Sequence, residues 1–238
     1  MKCMICNSRM YLSEYFSYKC EKCDHIYVDY SLDGLDYHKS SYRKNNHGTR
    51  GRNEIEKGVF TEEFHNYRIP LVQKRISLIN DYIKKSHSIL DIGAGGGTFA
   101  LALKDLTETV DVQEISDLCI SNLERLNFNV FQGDFASINF QEKTYDLVTC
   151  FHVLEHVKNL DTFYNALVKI VGKYAALEVP IQRPLIEEEK NWDGHYHYFS
   201  KESLALFFSK DFNINYIGDG VQMPCLLIIL EKKWDDSI

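Results

Sequence analysis

From residue 60 onward, apolar positions switch between a helical rhythm and short continuous runs. Phe64, Tyr67, Ile69, Val72, Ile76, Ile79 and Ile83 recur on one side of a predicted helix over 61–85, with Thr61 as its N-cap. The run Ser88-Ile89-Leu90-Asp91-Ile92 then reads as a buried strand. Further strands are predicted at 109–114, 130–135, 145–150, 174–179, 212–217 and 225–231, and helices at 160–171 and 201–210. Strands alternating with helices make this an α/β domain. The longest apolar run, 225–230, has the length of a buried strand and falls far short of a membrane span.

The first strand runs straight into a glycine-rich turn, Asp91-Ile92-Gly93-Ala94-Gly95-Gly96-Gly97. Glycines at 93, 95 and 97 permit a sharp strand-to-helix turn and let a ligand reach the backbone with no Cβ in the way. A dinucleotide fingerprint wants glycine at 98, where this chain has Thr98. The second strand ends in Glu114, placed to accept the ribose hydroxyls of an adenosine ligand. The third ends in Asp134-Phe135, and the fourth leads into Phe151-His152-Val153-Leu154-Glu155-His156-Val157.

These four segments, in this order, resemble the motifs of class I methyltransferases that use S-adenosylmethionine (SAM). The heptad after the fourth strand is similar to that of the small-molecule group that includes quinone and sugar O-methyltransferases. The resemblance covers roughly residues 60–238. It implies a Rossmann-like seven-stranded sheet with helices on both faces and an antiparallel edge. It also implies a SAM site built from Asp91, Gly93, Gly95, Gly97, Glu114, Asp134 and Phe135. Asp134 would take the adenine amino group and its neighbour would cover the ring.

Cysteine usage adds a second element. Cys3–Cys6 and Cys20–Cys23 form two Cys-x-x-Cys knuckles thirteen residues apart, a pattern that presents four thiolates to one zinc ion. A four-thiolate site keeps no open position for water, so the zinc is expected to be structural. The segment is too short to fold on its own core, and metal supplies the missing stability. The chain thus divides into a zinc-ribbon-like module (1–30), a linker or substrate-covering segment (31–59) and a methyltransferase domain (60–238). Cys119, Cys150 and Cys225 fall within apolar patterns and read as buried core residues.

The net charge of −7 argues against a nucleic-acid partner for the whole surface. With no signal-peptide pattern at the N-terminus, a cytoplasmic location is expected. Residues 39–52 run against the acidic balance, carrying Lys39, Arg43, Lys44, Arg50 and Arg52 with no acid. They read either as a solvated linker or as cations offered to a phosphorylated substrate. The connection 181–200 is long and holds Trp192, His195, His197, Tyr198 and Phe199. It is similar to the segment that lines the acceptor site in small-molecule methyltransferases.

Methyl transfer to an oxygen needs alignment and a base, and His is the natural base near neutrality. His152 and His156 after the fourth strand and His195 and His197 in the late connection are the candidates, and the similarity to family segments favours His195 or His152. His152-x-x-Glu155-His156 reads either as ordinary hydrogen-bonding groups or, as in some relatives, as ligands of a second metal. The expected activity is transfer of a methyl group from SAM to an oxygen of a small molecule, a sugar or a phosphorylated or nucleotide-linked precursor of a surface polysaccharide or secondary metabolite. The alternative is a zinc-containing ribosomal RNA base methyltransferase. A binding module that keeps the fold without activity fits poorly with the intact Asp91, Glu114 and Asp134.

Overall fold

The computed structural model describes residues 1–13, 17–29, 60–181, 195–221 and 224–234. The basic stretch 39–52 and Trp192 lie outside the described residues. At the N-terminus, β1 (Met10–Leu12), β2 (Ser17–Cys20) and β3 (Ile26–Val28) form an antiparallel meander around the four knuckle cysteines.

Helix α1 (Glu62–Ile83) starts where Thr61 Oγ1 accepts the Phe64 backbone N–H at 3.2 Å. Phe64, Val72, Ile79 and Ile83 are buried, but Tyr67 and Ile69 are exposed, unlike the rest of the expected apolar face. At roughly 100° per residue, Tyr67 points about 120° and Ile69 about 80° away from the middle of the buried stripe.

The strands β4 (Ser88–Ile92), β5 (Thr109–Glu114), β6 (Asn129–Gln132), β7 (Tyr145–Phe151) and β8 (Val171–Pro180) run parallel. Next in the chain is a two-residue strand, β9 (His197–Tyr198), followed by β10 (Phe212–Asp219) and β11 (Cys225–Lys232). The main sheet has seven strands in the order β10-β11-β8-β7-β4-β5-β6, and β11 is antiparallel to both neighbours. This is the Rossmann-like sheet with an antiparallel edge that the resemblance implied.

Side-chain alternation along the strands splits the core between the two faces. Ile89, Leu147, Ala176 and Ile229 pack under α1 and α2 (Thr98–Leu103). Leu90, Val148, Leu177 and Ile228 pack under α4 (Leu160–Ile170) and α5 (Lys201–Phe208), while α3 (Asp117–Arg125) covers β5 through Leu123. Because β5 and β7 flank β4 on opposite sides, the order reverses at β4, where such sheets open a crevice beyond the carboxyl ends of their strands. No helix among the described residues is long and apolar enough to cross a membrane.

β9 belongs to the other sheet. It pairs antiparallel with β3, extending the cysteine meander to four strands.

Candidate active site

At the crevice beyond β4 lies a cavity of about 1050 Å3. Its floor is the glycine turn. Gly93, Gly95 and Gly97 all adopt positive φ, and a Cβ on Gly93 would sit 2.3 Å from Val153 Cγ2. Gly95 is different, since nothing lies within 4 Å of a Cβ built there, which leaves its backbone open to a ligand. Gly96 is also required: Phe60 and Phe64 lean over it, and a Cβ would meet their rings at 2.6–2.7 Å.

Glu114 is held by three backbone donors. Its Oε1 accepts from Ile115 and Ser116 at 2.7 and 2.9 Å, and Oε2 accepts from Gly95 at 2.7 Å. The carboxylate therefore ties the end of β5 to the glycine turn. Asp91 is buried and accepts from Thr149 Oγ1 at 2.7 Å; burial pushes its carboxyl up to about 7, against the pull of that bond and of the Arg75 charge. Asp134 caps a short 3-10 turn by accepting from the Ala136 N–H at 3.1 Å. Phe135 lies mostly within the core against Phe163, with part of it at the cavity wall.

Arg75 and His152 on the cavity lining belong to a row of alternating charges. Arg75 Nη2 donates to Glu178 Oε1 at 2.6 Å, and His152 Nε2 approaches the same oxygen at 2.9 Å. On its other edge, His152 Nδ1 lies 3.4 Å from Glu155 Oε1. Burial alone would lower the His152 pKa, but the Cys225 sulfur and the two carboxylates raise it to about 11. Burial alone would raise Glu178, yet His152, Arg75 and the Val221 N–H bring it down to about 2. The two carboxylates on its ring nitrogens thus favour the charged form of His152. Its backbone is left-handed at φ 59°, a conformation that costs a non-glycine residue about 1–2 kcal/mol.

Glu155 is fully buried, and neither of its oxygens has a well-directed hydrogen bond among the described residues. Burial would raise its pKa, but His152, His156 and His195 together lower it. The His156 and His195 rings meet edge-on at 4.6 Å, and one ligand atom from each of Glu155, His156 and His195 lies within 4.8 Å of the others. His156 is on the cavity wall, with Arg68, Arg75 and Lys158.

A family model for a methyltransferase domain matches residues 64–217. The chain belongs to that family. It carries a methyltransferase domain of the class I SAM-dependent type. The ubiquinone biosynthesis O-methyltransferase of Rickettsia conorii is 32% identical over 112 residues, covering 43% of this chain and 37% of that protein. The chain thus spans about two fifths of that relative's length. The ribosomal RNA small subunit methyltransferase G of Streptococcus gordonii is 27% identical over 195 residues, covering 74% of this chain and 71% of its own. Among solved structures, magnesium protoporphyrin IX methyltransferase from Synechocystis PCC 6803, with bound S-adenosylhomocysteine (SAH), is similar in fold. It has a TM-score of 0.54 at 15% identity, covering 86% of this chain and 96% of that one.

The methyltransferase carries its four knuckle cysteines as a compact set. All four Sγ atoms lie within 4.8 Å of one another, and Cys3–Cys23 and Cys6–Cys20 are 3.7 and 3.4 Å apart. Sulfurs at the corners of a zinc tetrahedron with bonds of about 2.3 Å sit about 3.8 Å apart, whereas a disulfide needs about 2.05 Å. The Ile5 and Lys22 N–H groups each donate to the first sulfur of their knuckle at 3.4 Å. The donor set fits zinc.

Two groups escaped the sequence reading. Glu178 interrupts the apolar run of β8, and a carboxylate at an inward strand position is a readable sign of a buried partner. Phe60 and Phe64 gave no local sign, because their contact with Gly96 exists only once α1 is docked.

Proposed function

We propose that this methyltransferase moves the SAM methyl group onto an oxygen of a small molecule, a sugar or a phosphorylated or nucleotide-linked precursor of a surface polysaccharide or secondary metabolite. The observation that carries this reading is the trio Glu155, His156 and His195, of which His156 lines the same cavity as the glycine turn. The buried carboxylate balances a proton arriving on an imidazole, so the histidine pair can take the acceptor's hydroxyl proton. The acceptor oxygen attacks the methyl carbon, the C–S bond breaks, and SAH leaves as a neutral thioether. His152, its charged form favoured by the two carboxylates, contributes positive charge and holds Glu155 and Glu178 in place.

Asp91, the glycine turn, Glu114 and Asp134 are assigned to SAM, with Phe135 packed behind the adenine end. Arg68, Arg75 and Lys158 on the wall suit an anionic acceptor. One zinc ion on Cys3, Cys6, Cys20 and Cys23 would hold the meander together and take no part in the chemistry.

A second reading, ribosomal RNA methylation, draws support from the Streptococcus gordonii relative. The net charge of −7 and the concave site favour the small molecule. Tritiated SAM offered with nucleotide sugars, sugar phosphates or ribosomal RNA separates the two. Label should enter a sugar derivative; label in RNA alone would overturn the proposal.

A further inference from the structure

The cysteine module is joined to the acceptor side of the site by a specific set of bonds. His25 follows Cys23 by two residues, and its Nε2 lies 3.0 Å from Nδ1 of His197, 172 positions further along the chain. Both imidazoles are fully buried, and their rings stack at 5.2 Å with 21° between planes. On its other edge, His25 Nδ1 is 3.8 Å from Cys3 Sγ. An apolar pair would fill this space without the roughly 1–3 kcal/mol cost of burying each polar group. What two imidazoles add is direction.

That direction is passed along β9. The Val28 N–H donates to the Tyr196 carbonyl at 2.9 Å, and the Tyr196 N–H donates to the Glu155 carbonyl at 2.8 Å. Ser200 Oγ donates to the Cys23 carbonyl at 2.9 Å. The segment 195–200 is therefore held between the module on one side and the Glu155 turn on the other, and its first residue is His195, edge-on to His156. In the long connection after β8, a strand of only two residues has little pairing energy of its own.

We propose that His25 is a positioning residue for methyl transfer: bonded to His197, it fixes the 195–199 segment against the Glu155–His156 turn, so that the cysteine module orders the acceptor side of the active site. SAM binding, built from β4 and β5 at a distance from this contact, is independent of it. The catalytic consequence rests on the assignment of His195 to the acceptor site; the positioning itself does not.

The test compares wild type with His25→Ala, with His25→Gln, whose amide can reach the Nε2 position, and with His197→Asn, whose amide can replace Nδ1. Amide hydrogen exchange, zinc content, calorimetric SAH affinity and methyl transfer to the sugar-derivative panel are measured on the full chain. In His25→Ala, exchange at 196–199 should quicken at least tenfold. Zinc should stay at one per chain, SAH affinity within twofold, and kcat should fall at least tenfold at unchanged KM for SAM. His25→Gln and His197→Asn should each recover part of the protection and part of the turnover. Unchanged exchange at 196–199 in His25→Ala overturns the proposal, as does exchange that quickens only together with zinc loss. Full turnover in His195→Ala would sink the assignment of His195 instead, leaving the exchange result to decide the role of His25.

Discussion

Glu178 and His152 meet through a 2.9 Å contact between Oε1 and Nε2, where the neighbouring strands β8 and β7 reach the cavity. Each group moves the other's pKa, and the signs set a pH window. Glu178, lowered from an ordinary 4.5 to about 2, adds stability that is full above 4.5 and lost as pH falls toward 2. His152, raised from 6.5 to about 11, adds stability that is full below 6.5 and lost as pH rises toward 11. The pair therefore contributes most between about 4.5 and 6.5. Glu178→Gln leaves Arg75 and His152 without their shared anion and should cost about 3–5 kcal/mol, the scale of a broken buried pair. Thermal melts of both proteins across pH should show a gap that is widest in that window and narrows on either side. A gap independent of pH would mean the cost is packing alone.

Glu114 and Asp91 make separable predictions for cofactor binding. Glu114→Ala should weaken SAH by about 1.5–3 kcal/mol, the range of hydrogen bonds to a charged group. Asp91, pushed up to about 7, is largely protonated below neutrality, and its negative form suits the ammonium of the ligand's amino-acid end. SAH affinity should therefore rise as pH passes through 7, and Asp91→Asn should flatten that rise. Calorimetry at pH 6 and pH 8 reads both.

The glycine turn offers an internal comparison. Gly95→Ala meets no neighbour within 4 Å, so its cost to the empty fold is the left-handed strain alone, about 1–2 kcal/mol. Gly93→Ala carries the same kind of strain and also drives its Cβ into Val153. Gly95→Ala should melt nearer wild type than Gly93→Ala while still losing SAH affinity, because the added methyl occupies the open face of the turn. Wild-type SAH affinity in Gly95→Ala would remove this backbone from the ligand site.

How much of this was legible depended on how local each feature is. The strand, glycine turn and acid of β4 and β5 lie within 27 residues, from 88 to 114, so the turn at Gly93–Gly97 and an acid ending the next strand were readable from a short stretch of sequence. That the four knuckle cysteines come together was equally readable, since their spacing is itself the signal. The pairing of β9 with β3 was not, because two residues carry no period and their partner lies some 170 positions away. His152 shows the same limit. Its residue type suggested a base, and only the fold shows Glu155 and Glu178 converging on its two ring nitrogens, which favours its charged form.

The cysteine module should bind one zinc ion per chain. Stripping it with a chelator, or Cys20→Ser, should remove the metal and expose β1 and β2, because the core around them is made of the four sulfurs and Met10, while Ile26 and Val28 of β3 are buried against Tyr196 and Tyr198. Elemental analysis of protein purified without chelator should give a ratio near one. A metal-free protein with native protection of β1–β3 would show that the sulfurs are not ligands.

The last prediction concerns the proton. If the His156–His195 pair accepts it, His195→Ala and His156→Ala should each lower kcat by about 10²–10⁴-fold, the usual contribution of a well-placed base. SAH affinity should stay near wild type, because the cofactor is assigned to the glycine turn, Glu114 and Asp134. Glu155→Gln should act in the same direction by removing the anion that stabilises the charged imidazole. His152→Gln should behave differently: its defect should appear as lost stability that is greatest below pH 6.5 and shrinks as pH rises above it, with the pH–rate profile keeping its ascending limb. If His152→Gln alone abolished the ascending limb of the pH–rate profile, the proton would belong to His152 and the pair would be structural.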